Sequence, residues 1–233
     1  MATLYEANWT GAELCGGDIA VVRLTRPDGY SFRAGQWFRL TLETPNGPLT
    51  ETFSHASAPG DPGIELATRL TGSPFKRALA GLGARDVVRI AGPGGRLRLP
   101  DNASRLAFLV GGVGITPVRS LLRDARANGG AFDDALLLYG NRDESCIPFG
   151  TELAAMSDLG VRLVDVLERP TGEWQGERGL IDAEIVRKYL GPDDGRPFML
   201  TGPPVMIAAV EGVLDEMSIT PGRRIIERFG TAE

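Results

Sequence analysis

The stretch Leu109-Val110-Gly111-Gly112-Val113-Gly114-Ile115-Thr116-Pro117 constrains this chain most, because an apolar run ends there in a glycine turn that opens directly into an amphipathic helix. Val118, Leu121, Leu122 and Ala125 follow at helical spacing, with Thr116 suited to the N-cap and Pro117 to the first helical position. Such a junction lets backbone come close to a diphosphate while the helix N-terminus offers free N–H groups and the positive end of its dipole. The pattern implies a nucleotide site, although an ordinary tight turn has the same short signature.

The rest of the chain divides into two grammars. Up to about Pro100, short alternating runs are broken by glycine and proline: Ile19–Thr25, Trp37–Leu42, Ile64–Arg69 and Val87–Ile90 read as strands, with one helix over Ser73–Leu82. Several short strands in about a hundred residues predict an antiparallel β-barrel or sandwich. Beyond Pro100, apolar strands at Leu106–Val110, Ala135–Tyr139, Val161–Leu167, Pro197–Thr201 and Ile225–Phe229 alternate with helical patterns at Pro117–Asn128, Phe149–Ser157, Ala183–Leu190 and Val205–Met217. That alternation predicts an α/β domain with a parallel sheet, whose ligands bind beyond the carboxyl ends of its strands. The expected domains are therefore 1–100 and 101–233, with Asp101-Asn102-Ala103-Ser104 as the boundary.

The 233 residues, 42% hydrophobic and 24% charged, suit a soluble globular protein, and no run is long enough for a membrane span. The N-terminus lacks the layout of a signal peptide, so a cytoplasmic location is expected. Cys15 and Cys146 are too few and too far apart for an iron–sulfur cluster or a thiolate zinc site, so no metal is expected. A net charge of −5 without a lysine-rich tract argues against nucleic acid as partner.

Five motifs, in order, resemble those of the ferredoxin–NADP reductase superfamily. Thr52-Phe53-Ser54-His55-Ala56-Ser57-Ala58-Pro59 is similar to its Arg-x-Tyr-Ser flavin motif, and Arg69-Leu70-Thr71-Gly72-Ser73-Pro74-Phe75-Lys76 to its second flavin motif. Gly92-Pro93-Gly94-Gly95 resembles the turn closing the flavin barrel, Gly111 to Pro117 the pyridine-nucleotide motif, and Thr201-Gly202-Pro203-Pro204-Val205-Met206 the Cys-Gly-Pro-x-x-Met beside the nicotinamide. The resemblance implies FAD in a barrel domain and NADPH or NADH in the α/β domain. It places Ser54 at the flavin N5, Phe53 against its ring, Thr52 in the same motif, and the backbone of Gly72 and Ser73 at the diphosphate. Gly111, Gly112, Gly114, Thr116, Gly202, Pro203 and Met206 are implied to line the nucleotide site, with Asn141 and Arg142 near the adenosine ribose. Glu227 and Phe229 resemble the family's C-terminal carboxylate and flavin-covering aromatic, and the tail 231–233 leaves Phe229 free to move.

The departures carry their own expectations. Glu51 stands where the family has arginine, so either Glu51 turns to solvent while Arg69 or another arginine neutralises the diphosphate, or flavin is held loosely; the first is expected, because Arg69 lies in the second flavin motif. Phe53 in place of tyrosine forgoes a hydrogen bond worth about 1 kcal/mol. Thr201 in place of cysteine makes it a positioning residue. Arg142 favours a 2′-phosphate, whereas Asp143 and Glu144 beside it favour a free hydroxyl. His55 is expected to be structural, Trp9 and Trp174 to pack or cap loops, and Met206 and Met217 to belong to the core.

The implied activity is a flavin-dependent NAD(P)H oxidoreductase, with Ser54, Thr201 and Glu227 at the reacting centre. Without cluster cysteines, its electrons must pass to a separate carrier such as ferredoxin, flavodoxin or an oxygenase component. The first hundred residues carry about +2 and the remainder about −7, which favours an acidic carrier docking on the barrel half. The alternative is a non-catalytic or regulatory subunit with weak flavin binding. All of this requires the Phe53–Ser54 edge and the Gly111–Gly114 loop to face each other across one gap.

Overall fold

A computed structural model describes residues 3–16, 18–101, 104–145 and 147–229. Asn102 and Ala103 of the expected boundary, Cys146 and the tail 231–233 lie outside the described residues.

The N-terminal half is a six-stranded antiparallel sheet in the order β4-β3-β6-β1-β2-β5, built from β1 (Leu4–Cys15), β2 (Ile19–Thr25), β3 (Trp37–Leu42), β4 (Leu49–Ser54), β5 (Gly63–Arg69) and β6 (Val87–Gly94). It curls into a barrel, and just past β4 the Ala56 N–H donates to Glu65 O on β5 at 2.7 Å. Alternation explains the interior. Phe38, Leu40 and Leu42 of β3 and Ala20, Val22 and Leu24 of β2 point inward, where Phe53, Ile64, Leu66 and Ile90 join them. β2 is buried on both faces, because its other side, Ile19 and Val21 with Ala67 of β5, packs on Val113 and Phe149 of the second half.

Helix α1 (Pro74–Ala80) packs against β3 and β4, with Ser73 as its N-cap accepting from Lys76 N and Pro in the first turn. It ends at a Gly81 cap, two residues short of the expected Leu82. The Gly92–Gly95 segment is less a turn than the end of β6. Its glycines make room for an indole, since a Cβ on Gly94 would stand 2.4 Å from the Trp37 ring.

The C-terminal half is a parallel sheet in the order β10-β9-β8-β7-β11-β12: β7 (Arg105–Gly111), β8 (Asp134–Asn141), β9 (Val161–Leu167), β10 (Glu177–Arg178), β11 (Phe198–Gly202) and β12 (Arg224–Arg228). Helices α2 (Ile115–Ala127), α3 (Gly150–Ala154), α4 (Ala183–Leu190) and α5 (Pro204–Glu216) connect them. Apolar clusters form on both sides of the sheet, Phe108, Val110 and Tyr139 facing one way and Leu109, Leu136 and Leu200 the other. Strand order runs outward from β7 in one direction and from β11 in the other, so the chain reverses between them. A crevice opens at the carboxyl ends of those two strands.

Two local expectations change. Thr116 does not cap α2: a 3₁₀ turn at Gly112–Gly114 precedes the helix, Gly114 is its N-cap residue, and the Thr116 hydroxyl donates to Val113 O at 3.0 Å. The helix expected over Phe149–Ser157 is α3 followed by a 3₁₀ turn, Ala155–Leu159. Among the described residues no helix is long and apolar enough to cross a membrane.

Candidate functional site

At the reversal point lies a cleft of about 320 Å³, walled by Gly111 and Gly112 at the end of β7, Gly140, Asn141 and Arg142 at the end of β8, Pro203 and Met206 after β11, and Arg69 from the barrel. Two glycines make this wall possible. Gly112 sits at φ +52°, and a Cβ on Gly114 would meet Thr201 O at 2.5 Å and Gly202 Cα at 2.7 Å. The turn therefore lies flush on β11, and α2 begins there with no side-chain cap. Met206 is half-buried, packed against the core cluster on one side of the sheet, with its sulfur against Gly111 and Gly202.

Two polar groups at this end of the sheet are left without partners among the described residues. Asn141 Nδ2 belongs to the cleft wall, whereas Thr201 Oγ1 is fully buried on β11 and does not line it, and each is costly unless something else binds it. Arg142 Nη2 stands 3.8 Å from Asp18 Oδ2, and Arg69 pairs with the same oxygen. The neighbouring acids are occupied: Asp143 accepts from Ser145 N at 3.0 Å and Glu144 from Thr171 N at 2.8 Å. Glu168, also on the wall, pairs with Arg169 at 3.0 Å.

The second cluster joins residues 173 positions apart: Ser54 Oγ at the end of β4 donates to Glu227 Oε1 on β12 at 2.8 Å. Thr201 pairs in register with Glu227, so serine, threonine and carboxylate meet at one end of the sheet. Burial pushes the Glu227 carboxyl above its ordinary range, and the Ser54 hydroxyl opposes that. Phe229 is half-buried and continues the strand, its N–H donating to Gly202 O at 2.9 Å.

The barrel's flavin-motif residues are arranged differently from expectation. Phe53 is 7% exposed and packs with Phe38 and Phe75 in the barrel, because on the inward face of β4 it lies beside its register partner Phe38 of β3. Neither Phe53 nor Ser54 borders the cleft, where Arg69 is the barrel's contribution. Glu51 does not turn to solvent. It pairs at 2.5 Å with Lys76, whose ammonium is itself 4.3 Å from the Phe53 ring centroid. Lys76 is 8% exposed, and burial lowers its pKa while Glu51 raises it. Thr52 faces solvent opposite Arg39, and the Gly72 carbonyl accepts from Arg77. Lys76 lies in the second flavin motif but its pairing with Glu51 carries no sequence signal, and Asp18 lies in no motif; only proximity across the fold reveals both contacts.

The two halves are locked by α2. Arg119, 5% exposed, donates to Glu65 Oε2 at 2.7 Å, Ala56 O at 2.8 Å and Glu152 Oε2 at 2.8 Å. Arg123 pairs with Asp61 at 2.9 Å, and Ser120 Oγ donates to Ser57 O at 2.7 Å. The helix that starts at the glycine turn is thereby fixed to the segment that follows Ser54. His55, next in that segment, is fully buried: its Nδ1–H donates to Gln36 O at 2.7 Å, Tyr30 OH donates to Nε2 at 3.0 Å, and Phe32 stacks on it at 3.7 Å.

Comparison with known proteins agrees with this architecture. The family description "Oxidoreductase NAD-binding domain" matches residues 108–212. The chain is 37% identical over 193 residues to Ferredoxin–NADP reductase B of Sorangium cellulosum, covering 79% of this chain and 78% of that protein. It is 30% identical over 224 residues to NADH-cytochrome b5 reductase 1 of Aspergillus terreus, covering 89% and 76%. A ferredoxin NADP+ reductase from Neisseria gonorrhoeae, solved with bound FAD and NADP, shares the fold at TM-score 0.85 and 23% identity, over 98% of this chain and 99% of that one. The chain belongs to the ferredoxin–NADP reductase superfamily of flavin-dependent NAD(P)H oxidoreductases.

Proposed function

We propose that this protein passes electrons between a nicotinamide nucleotide and a separate acceptor, such as ferredoxin, flavodoxin or an oxygenase component, by way of FAD. The observation that carries this reading is the Ser54–Glu227 hydrogen bond beside the buried, unpaired Thr201 hydroxyl. Residues 1–100 form the flavin-binding unit in this reading and 101–233 the nucleotide-binding unit.

The residues fit both groups, on different grounds. For the nucleotide, Gly111 and Gly112 bring bare backbone to the cleft wall, with open space where a Gly112 side chain would stand, and Asn141 on the same wall has a buried atom unpaired among the described residues, as has Thr201 on β11 against the Gly114 turn. For the flavin, Ser54 supplies a hydroxyl held in place by Glu227, and Gly72 leaves open backbone next to Ser73, Lys76 and Arg77. Lys76 and Arg77 take the part of the missing arginine at position 51, while Arg69, held by Asp18, belongs to the nucleotide side.

A bound flavin supplies the hydride acceptor and releases electrons singly or in pairs. The protein's own part is orientation and water exclusion. Ser54 presents a hydroxyl of fixed direction, Thr201 positions the carboxamide end of the nucleotide, and Glu227 holds or releases a proton at the Ser54 oxygen. Phe229 covers the site, and Phe53 stiffens it from within the barrel. Because Asp143 and Glu144 are engaged elsewhere and Arg142 faces the cleft, the preferred nucleotide is NADPH.

One observation favours a second reading, a subunit that binds flavin weakly: Glu51 already neutralises Lys76. Colour decides between them. After incubation with FAD and desalting, the catalytic reading expects retained flavin absorbance that bleaches anaerobically with NADPH faster than with NADH. A colourless protein supports the second reading.

A further inference from the structure

Two guanidinium groups on the cleft wall converge on one carboxylate oxygen. Arg69, at the end of β5, and Arg142, after β8, both pair with Asp18 Oδ2, the latter at 3.8 Å. Asp18 sits in the turn between β1 and β2, and its backbone is tied down, since Leu70 N donates to Asp18 O at 2.6 Å. The turn thus presents a fixed anion to two cations drawn from opposite halves of the molecule. All three side chains are between 33% and 49% exposed, so the exchange of this anion for another faces little desolvation penalty. Next to Arg142, the buried Nδ2 of Asn141 has no partner among the described residues.

Two arginines and one carboxylate leave a surplus positive charge. A phosphate monoester, with nearly two negative charges at neutral pH and three acceptor oxygens, matches two guanidinium groups better than a single carboxylate does. We propose that Asp18 is a specificity-determining residue: it occupies the Arg69–Arg142 pair as a resident anion, and a phosphate of the incoming nucleotide displaces it. This rests on the nucleotide-binding reading above and adds to it a competitor built into the barrel. Asp18 lowers affinity for every ligand phosphate that reaches this pair, and its release removes one ionic link between the two halves.

The test uses oxidised nucleotides, which bind without turnover. Calorimetric titration of NADP+ and NAD+ into the wild type, Asp18→Asn and Asp18→Asn/Arg142→Ala reads the exchange directly. Asp18→Asn should bind NADP+ three- to tenfold more tightly, and the added Arg142→Ala should abolish the gain. A gain confined to NADP+ identifies the displacing group as the 2′-phosphate, and an equal gain for NAD+ identifies it as the diphosphate. Melting temperature gives a second readout: the loss caused by Asp18→Asn in free protein should shrink in saturating NADP+. Unchanged or weaker NADP+ binding by folded Asp18→Asn overturns the proposal. Should that variant not fold, Arg142→Ala alone must weaken NADP+ binding at least fivefold, and no loss overturns it. A wild type that binds neither nucleotide sinks the proposed function itself, which separates the two failures.

Discussion

On the barrel side of the site, the charged groups nearest the flavin motifs already have protein partners: Lys76 holds Glu51 and Arg69 holds Asp18. On the parallel-sheet side, Thr201 Oγ1 and Asn141 Nδ2 are buried without any among the described residues, and bare glycine backbone at Gly111 and Gly112 forms part of the cleft wall. The first arrangement is complete by itself, so a ligand must compete with internal contacts. The second bears a cost that a bound ligand would relieve. A preformed but unsatisfied surface and a self-satisfied one bind through different balances, and each can be perturbed separately.

The sharpest break is Gly114→Ala. A methyl group would meet Thr201 and Gly202 backbone on β11, which cannot shift as a flexible side chain can. We expect a loss of about 3 kcal/mol in stability, at the upper end for overpacking, together with loss of NADP+ binding. Urea midpoints and calorimetry check both, and a variant of wild-type stability would show that the flush contact is unimportant.

The barrel side is tested by acid. His55 accepts from Tyr30 only when neutral, and burial pushes its pKa down to about 4, against the Gln36 carbonyl that favours the charged ring. A base with a lowered folded pKa contributes stability that is complete above about pH 6.5 and lost as pH falls toward 4. Between pH 7 and 4.5 the wild type should lose about 2 to 3 kcal/mol more than His55→Gln, measured from urea midpoints. Equal losses would detach His55 from the acid response of the barrel.

Glu51→Gln sharpens the comparison further. It leaves the Lys76 ammonium nearly buried without its counter-charge, and stability without flavin should fall by about 1 to 2 kcal/mol. FAD should bind several-fold more tightly and restore most of the melting temperature. A fall in FAD affinity would mean that Glu51 supports the cofactor instead of competing with it. The smallest effect belongs to Thr201→Val, which removes an unpaired hydroxyl. Stability should stay within about 0.5 kcal/mol of wild type, while KM for NADPH rises a few-fold.

How far the sequence foretold this molecule follows the same divide. Strands Ile19–Thr25, Trp37–Leu42 and Val161–Leu167 have the bounds their alternation or apolar run implies, and the glycine run after Val110 does mark the cleft. Those signals are local: period, glycine, and the end of a strand. β1 gave no such signal, since Leu4–Cys15 alternates weakly and is held by pairing to β2 and β6. Ser54 and Glu227 were marked through family motifs, but their contact is a property of the fold. The partners of Glu51 and Arg69 are hidden for a related reason. Charge reversal at position 51 is answered by Lys76, 25 residues away, and one chain displays neither that pairing nor the turn that brings Asp18 to Arg69.

The double-sided burial of β2 has a practical bearing on dissecting the molecule. Cut near residue 100, a separately expressed barrel would carry Ile19, Val21 and Ala67 as a bare strip along adjacent strands, with Arg119's carboxylate partner Glu65 left beside it. Such a fragment invites self-association through that strip. Exchanging one half for that of another reductase would therefore need a matching seam as well as a matching active site.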